Sequence, residues 1–337
     1  MAADHYSFES IWNVVSSLAK QGKSDLYLHS LGRDVAAGAL MAAANSTGLF
    51  TVLIPLLGNE AFADQSGGRA LRVTRMTVDG TSYACVTCVE PDLNDVFLIF
   101  VRDLVRSLPA VGPCAAALIV HVEHWRELFA ETKASGLLSL PQAAGLLAEL
   151  LTLERILSRD PSRKLAAWTG PAKSQHDFRA ASHALEVKAT LAREGHRTSV
   201  SSVEQLNAPP GGSLHLSFFK FQVASDGDSL PKAIQRIRAM SVDLLEFELL
   251  LLRSGYRSGF EDVYGAYSLE ILTEHTFDAS SPAFPKIVPA SFADAHVPHG
   301  VEQISYVIDL AGSLSSSLSG TQLNTVYESL VQGANDA

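Results

Sequence analysis

The segment from Asp177 to Lys188 constrains the fold of this chain most, because it places two acids and a lysine at a spacing typical of β-strands. Glu186 follows Asp177 by nine residues, and Val187 and Lys188 come directly after it. Side chains of a strand alternate between two faces, so Glu186 and Lys188 share one face while Leu185 and Val187 share the other. The spacing of Asp177 suits the opposite arm of a hairpin. The segment therefore predicts a small sheet with two carboxylates and an amine at one edge.

Two acids and a lysine at one sheet edge can hold a divalent cation with a water beside it, as phosphodiester hydrolysis requires. We expect the carboxylates of Asp177 and Glu186 to bind the metal, with the main-chain carbonyl of Val187 as a further ligand. Mg²⁺ is the expected ion because it prefers oxygen ligands and retains waters, and Mn²⁺ can replace it. Lys188 is expected to orient or deprotonate the attacking water and to stabilise charge on the phosphate. Taken alone, a Glu-x-Lys pattern is more often a surface ion pair, because short patterns recur by chance.

A fourth candidate lies on the helix predicted from Pro141 to about Leu157. Glu149 falls within the apolar sector of this helix, and an acid is costly to bury unless it meets a partner. A metal or Lys188 would be that partner, and Gly145, one turn earlier, leaves room for something to approach. The alternative is a side chain that reaches past the helix edge to solvent.

Composition indicates a folded protein of the cytoplasm. Hydrophobic residues make up 47% of the 337 residues, and no stretch approaches the ~20 apolar residues of a membrane helix, so no membrane contact is expected. A sparse set of three cysteines and an N-terminus without a secretion signal suit a reducing compartment. Cys85 and Cys88 have zinc-ligand spacing, but a strand points them to opposite faces, which favours small buried core residues instead.

The net charge of −10 argues against a nucleic-acid enzyme, because binding to a phosphate backbone usually relies on a basic surface. The charge is unevenly distributed, however. From Arg159 to Arg197 there are eight Lys and Arg residues against four Asp and Glu residues. We therefore expect binding to DNA that is weak for the chain alone and stronger within a complex.

The order of the patterns predicts an α+β protein. Residues 1–130 are expected to form a smaller β-rich N-terminal domain that contacts a partner or DNA, and Asp79-Gly80 within it marks a hairpin. Residues 135–312 are expected to carry further strands and helices, and residues 313–337 a C-terminal helix and tail. Further strands are predicted at Lys164–Trp168 and Val263–Thr276, while Ala116–Val122 is ambiguous between strand and helix.

The order of a helical Glu, an Asp and a Glu-x-Lys strand resembles that of the PD-(D/E)XK nuclease superfamily. More narrowly, roughly residues 5–310 resemble the bacterial PD-(D/E)XK motif proteins found beside restriction and phage-defence genes. His176 stands where the name of the superfamily expects proline. A role as general base is open to it, but Lys188 already fills that role, which favours a turn or strand-end residue. The segments that carry the resemblance are Val73–Val78, Asp92–Leu108, Trp125–Phe129, Gly136–Ser139, Gly145–Leu150, Trp168–Gly170, Asp177–Phe178 and Glu186–Thr190.

The resemblance implies that Asp177, Glu186 and Lys188 form an active site and that Glu149 is the helix acid. It also implies a restriction-endonuclease-like core, which is a mixed β-sheet flanked by helices. A role against foreign DNA follows, with a helicase-like ATPase and a DNA methyltransferase as partners in a restriction-type defence system. Because one metal-binding set cuts one strand, cleavage of both strands requires a homodimer or a second nuclease.

The sequence leaves two alternatives open. The chain can be a non-catalytic assembly subunit that uses the nuclease fold as a protein- and DNA-binding scaffold, and its acidic surface fits protein contacts. Alternatively, the same residues suit RNA or single-stranded substrates. Substitution of Lys188 or Asp177 by Ala separates the enzyme from the scaffold, because a scaffold keeps its function without them.

Overall fold

The computed structural model describes residues 8–20, 27–44, 48–65 and 70–335. These residues form two compact units. One contains the described residues up to Gly136 together with Arg257–Gly259, and the other contains Leu137–Tyr256 with the described residues from Phe260 onward. Both units combine helices with sheets, so the predicted α+β class is confirmed. Within these ranges, none of the helices has both the length and the apolar character needed to cross a membrane.

The first unit contains a five-stranded antiparallel sheet and three helices. The strands, in their order across the sheet, are β1 (Tyr27–Val35), β2 (Gly38–Ala44), β3 (Phe50–Pro55), β5 (Thr81–Cys88) and β4 (Leu71–Val78). The helices are α1 (Phe8–Lys20), α2 (Asn94–Ser107) and α3 (Ala115–Ser135). The hairpin at Asp79-Gly80 is confirmed, and both residues have positive φ angles, 48° and 78°. Positive φ at both central residues is what a two-residue turn of type I′ requires.

The second unit contains a four-stranded mixed sheet. Its strands, in their order across the sheet, are β10 (Leu269–Asp278), β9 (Ser213–Asp228), β7 (His183–Thr190) and β6 (Phe178–Ala180). Strand β7 runs parallel to β9, whereas β10 and β6 run antiparallel to their neighbours. A separate two-stranded sheet pairs β8 (Arg197–Val200) with β11 (Tyr306–Asp309). The helices are α4 (Leu140–Leu157), α5 (Leu230–Arg238), α6 (Leu244–Arg253), α7 (Glu261–Gly265) and α8 (Gly320–Asn335).

The two faces of the four-stranded sheet pack into different cores. Leu185 and Val187 belong to a cluster that includes the buried side chains of α4. Ala184, on the opposite face of β7, belongs to a cluster with side chains of β8 and β11. Because side chains alternate along a strand, Glu186 and Lys188 share the face of Ala184. The sheet thus turns its charged pair toward β8 and β11.

Two strand predictions in this unit are corrected by the structure. Lys164–Trp168 is a loop, because the amide of Trp168 donates to Leu165 O and bends the chain, leaving one isolated bridge to Phe178. Val263–Thr276 is a strand only from Leu269 onward. Its first part forms α7, where Tyr264 is buried against another tyrosine ring, and a helix of this length is too short to show its period in the sequence.

Helix α4 begins where the sequence predicts. Pro141 occupies the first turn, in which a missing N–H group is tolerated. The side chain of Gln142 accepts a hydrogen bond from the amide of Ser139 at 2.9 Å and so closes the start of the helix. Helix α4 packs its buried side chains into the core and carries Glu149.

Candidate active site

Asp177 continues the sheet beyond the end of a very short strand. Strand β6 pairs with β7 only from Ala180↔His183 to Phe178↔Leu185. The next amide of β7 that points to this edge belongs to Val187, and it donates to Asp177 Oδ2 at 2.8 Å. The carboxylate therefore accepts the hydrogen bond that a strand carbonyl would otherwise accept. It is held at the edge of β7, beside the residue that precedes Lys188.

The carbonyl of Val187 points to the same edge. The N–H and C=O groups of one strand residue point in the same direction within the sheet. Since the amide of Val187 faces Asp177, its carbonyl faces the same side, where β6 has already ended. A main-chain oxygen is thus available beside the carboxylate of Asp177.

Gly170 lies between the two carboxylates contributed by α4 and by the hairpin. The amides of Thr169 and Gly170 both donate to the carbonyl of Asp177, at 2.8 and 2.9 Å. A methyl group placed on Gly170 would lie 3.0 Å from Asp177 Oδ1 and 3.4 Å from Glu149 Oε2. Both acids therefore converge on one small space that a larger residue at 170 would fill.

A tryptophan holds Glu149 in this position. The indole Nε1 of Trp168, a side chain only 2% exposed, donates to Glu149 Oε2 at 2.9 Å. Glu149 therefore points inward rather than past the helix edge to solvent. Trp168 and Gly170 were not among the predicted site residues. A buried indole N–H needs an acceptor, and this requirement was the available signal for Trp168.

Glu186 and Lys188 form an ion pair on the other face of β7. Glu186 is 1% exposed, and Lys188 Nζ lies 2.8 Å from Glu186 Oε1. Lys188 Nζ thus occupies Oε1, whereas among the described residues Glu186 Oε2 has no hydrogen-bond donor. A buried carboxylate with unused lone pairs is suited to bind a cation.

Burial raises the pKa values of all three acids, and the charge of Asp177 adds to the rise at Glu149 and Glu186. The pKa of Glu149 rises to about 8, first through burial and then through the charge of Asp177, while Trp168 and Lys188 oppose the rise. Burial also raises the pKa of Asp177, against the amide of Val187 and the charge of Lys188. The pKa of Glu186 is raised well above its usual value by burial and by Asp177. A bound cation would remove this repulsion.

The donors at this site suit a hard cation. In the described ranges, no group of three or more His, Cys, Asp and Glu side chains is arranged to hold a metal. The available donors are the carboxylates of Asp177 and Glu186 and the carbonyl of Val187. Few oxygen ligands, with water and phosphate filling the remaining positions, are typical of Mg²⁺ and Mn²⁺. These residues therefore fit the ion predicted from the sequence.

The cysteines and His176 are accounted for by burial. Cys85 and Cys88 are buried and form no disulfide, and burial raises the pKa of each thiol to about 12, which disfavours metal-binding thiolates. His176 is 1% exposed, and its Nε2 lies 3.2 Å from the carbonyl of Asn207. Burial also lowers the pKa of His176. The imidazole is thus a neutral group that fixes a loop.

Comparison with known proteins identifies the family. A family model described as "Putative PD-(D/E)XK family member, (DUF4420)" matches residues 35–311, which include Glu149, Asp177, Glu186 and Lys188. No curated protein and no solved structure matches the chain. The match spans most of the 337 residues and confirms the family-level resemblance inferred from the sequence. The chain therefore belongs to the DUF4420 family of PD-(D/E)XK proteins.

Proposed function

We propose that the protein is a metal-dependent endodeoxyribonuclease that hydrolyses DNA phosphodiester bonds within a bacterial restriction or anti-phage defence system. The observation that carries this proposal is the convergence of Asp177 with its neighbours on β7. Asp177 accepts from the amide of Val187, and Glu186, the preceding residue, contacts Lys188 Nζ at 2.8 Å. Membership of a PD-(D/E)XK family adds support, because proteins of that superfamily are generally nucleases.

Each residue has a distinct task in this proposal. The carboxylates of Asp177 and Glu186 and the carbonyl of Val187 hold Mg²⁺, or Mn²⁺ in its place. When bound, the cation supplies a Lewis acid for the phosphate and lowers the pKa of a coordinated water. Lys188 Nζ orients the attacking water and stabilises negative charge on the scissile phosphate. Glu149, held by the indole of Trp168, sets the position of Asp177 from the side of α4.

The proposal extends to substrate and partners. DNA is the substrate, and a helicase-like ATPase and a DNA methyltransferase are the proposed partners in the cytoplasm. A net charge of −10 supports a need for such partners, because an acidic chain binds DNA weakly alone. A single set of metal ligands is proposed for each chain, so a homodimer or a second nuclease completes cleavage of both strands.

Cleavage of supercoiled plasmid tests the proposal. The purified chain is incubated with Mg²⁺ or with EDTA, and the loss of supercoiled DNA is followed with and without the proposed helicase-like ATPase. We expect Mg²⁺-dependent nicking that Glu186→Gln and Lys188→Ala each reduce by at least ~100-fold. Lys164→Ala, which removes an exposed lysine of the same unit, serves as the matched control and keeps full activity. Cleavage that survives both active-site changes in folded protein contradicts the proposal.

A second candidate is a non-catalytic assembly subunit with the nuclease fold as a scaffold. Two observations favour it: the described residues contain no three-ligand metal group of His, Cys, Asp and Glu, and the chain is acidic overall. The same assay decides between the two, with duplex DNA, single-stranded DNA and RNA as parallel substrates. If none is cut in Mg²⁺ or Mn²⁺, with or without the ATPase, the scaffold function replaces the nuclease.

A further inference from the structure

A polar cleft of about 290 Å³ opens beside Lys188. The end of β7 and strand β8 line it, and its polar lining consists of Lys188, Thr190, Arg197, Thr198 and Ser199. We propose that this cleft binds the DNA phosphate next to the one that is cleaved, and that Arg197 anchors it. This inference rests on the proposed nuclease function, whose substrate it positions, and it adds a binding residue that the motif does not contain.

Arg197 has the donors that a phosphate requires. Its side chain is 76% exposed, and its Nε lies 3.4 Å from Asp309 Oδ2, which is a long contact. In the described part of the chain, neither Nη group donates a hydrogen bond. A guanidinium presents its donors in a planar fork that matches two phosphate oxygens, so these groups are suited to bind the DNA backbone. Ser199 lies two residues along β8 and on the same face as Arg197, and it adds a neutral donor to the lining, as does Thr190 of β7.

The main chain that carries Arg197 is fixed on both sides. The carbonyl of His196 accepts from the amide of Leu310 at 2.9 Å, and Arg197 pairs with Asp309 in the two-stranded sheet. Lys220 Nζ donates to the carbonyl of Gly195 at 3.5 Å. Because the main chain is already ordered, binding has to order only the side chain of Arg197.

Lys220 adds positive charge beside the segment that leads into Arg197. It is 8% exposed, and it pairs with Thr190 in the parallel register of β9 and β7, just as Phe218 pairs with Lys188. Lys188 and Lys220 therefore share one face of the sheet, two register positions apart. A buried cation near an exposed arginine raises the local positive potential, which attracts a phosphate.

Binding of a fluorescein-labelled DNA duplex in EDTA tests this inference without cleavage. We expect Arg197→Gln to raise the Kd by about 3- to 10-fold and to reduce the slope of log K against log salt by about 0.9, as expected when one phosphate contact is lost. Arg253→Gln, which removes an equal charge from an exposed site on α6, should change neither quantity. Arg197→Lys should restore part of the affinity, because it returns the positive charge without the planar fork of donors.

A variant that binds DNA more tightly shows that the weaker binding of Arg197→Gln does not result from misfolding. Asp309→Asn removes the carboxylate that competes for Arg197, so we expect tighter binding of the duplex. Equal Kd and salt slope for Arg197→Gln and Arg253→Gln overturn the inference, as does a wild-type chain that binds no duplex. If binding depends on Arg197 but no variant cleaves DNA, the inference stands and the nuclease function fails.

Discussion

Gly170 carries a steric requirement at the residue scale. A methyl group there would lie 3.0 Å from Asp177 Oδ1 and 3.1 Å from Asp177 Cα, which is too close for a main-chain neighbour to relax easily. We expect Gly170→Ala to displace the carboxylate from the amide of Val187 and to reduce single-turnover cleavage by at least ~10-fold. Single-turnover cleavage rates measured at saturating Mg²⁺ and DNA check this, because saturation offsets any weaker binding of either one.

Gly145→Ala is the matched control for this substitution. Gly145 lies inside α4, where a methyl group meets nothing within 4 Å. Alanine is the better helix former, so the free energy of unfolding should rise by about 0.5–1 kcal/mol with cleavage unchanged. Equal cleavage by both glycine variants would show that the space at Gly170 does not matter.

The raised pKa of Glu149 predicts how the stability of the metal-free protein depends on pH. Its pKa rises from 4.5 to about 8 on folding, mainly through burial. Between these values the unfolded chain has lost a proton that the folded chain retains, so the metal-free protein loses stability as the pH rises from about 4.5 toward 8. The raised pKa values of Asp177 and Glu186 act in the same direction.

We expect Glu149→Gln to flatten this pH dependence and to stabilise the metal-free chain at pH 8 by on the order of 2 kcal/mol. Urea unfolding in EDTA at pH 5 and pH 8 measures both effects. Glu194→Gln, at an exposed position, should leave the profile as it is. A wild-type chain that becomes more stable between pH 5 and pH 8 would contradict the assigned burial of these acids.

At the scale of elements, the β6–β7 hairpin depends on close contact with the start of β9. Gly212 precedes β9, and a methyl group on it would lie 1.7 Å from the carbonyl oxygen of Ser182 in the hairpin turn. The oxygen belongs to the main chain and the methyl carbon is fixed to Cα, so neither can rotate away. We expect Gly212→Ala to lower the free energy of unfolding by roughly 3 kcal/mol, measured by denaturant titration. A change below about 0.5 kcal/mol would show that the turn adjusts without penalty.

The sequence predicted those elements whose signals are local. The start of α4, the turn at Asp79-Gly80 and the alternation of Glu186 and Lys188 each depend on neighbours within a few residues. The sequence did not indicate where β6 ends, because the strand has only three residues. The carboxylate of Asp177 then accepts the next hydrogen bond in place of a strand carbonyl. Short elements do not show a period, so sequence patterns miss them.

The supporting residues of the site depend on contacts between distant segments. Trp168 meets Glu149 across 19 residues of sequence, and Gly170 matters because two carboxylates approach it in space. Arg197 reaches the cleft beside Lys188 because β8 pairs with β11, more than 100 residues later. Neither spacing nor composition encodes such contacts. The proposed metal ligands and Lys188, in contrast, lie within one short segment, and their spacing indicates that they belong together.

At the scale of the whole molecule, every candidate residue lies in the second compact unit. Glu149, Asp177, Glu186, Lys188 and Arg197 all belong to it, whereas the first unit has its own sheet and helices. The expected role of the N-terminal residues in contacting a partner or DNA stays a prediction. The acidic net charge makes partner-assisted binding of DNA the consistent expectation.

Binding of Mn²⁺, followed by the electron paramagnetic resonance signal of the free ion, tests most directly whether Asp177 and Glu186 share one cation. The wild-type chain with a DNA duplex is predicted to bind Mn²⁺ at a site that Asp177→Asn and Glu186→Gln each weaken by at least ~10-fold, because each removes a charged ligand. Asp262→Asn, at an exposed position of the same unit, should bind as the wild type does. Equal binding by all four proteins, or none by the wild type, would contradict the account.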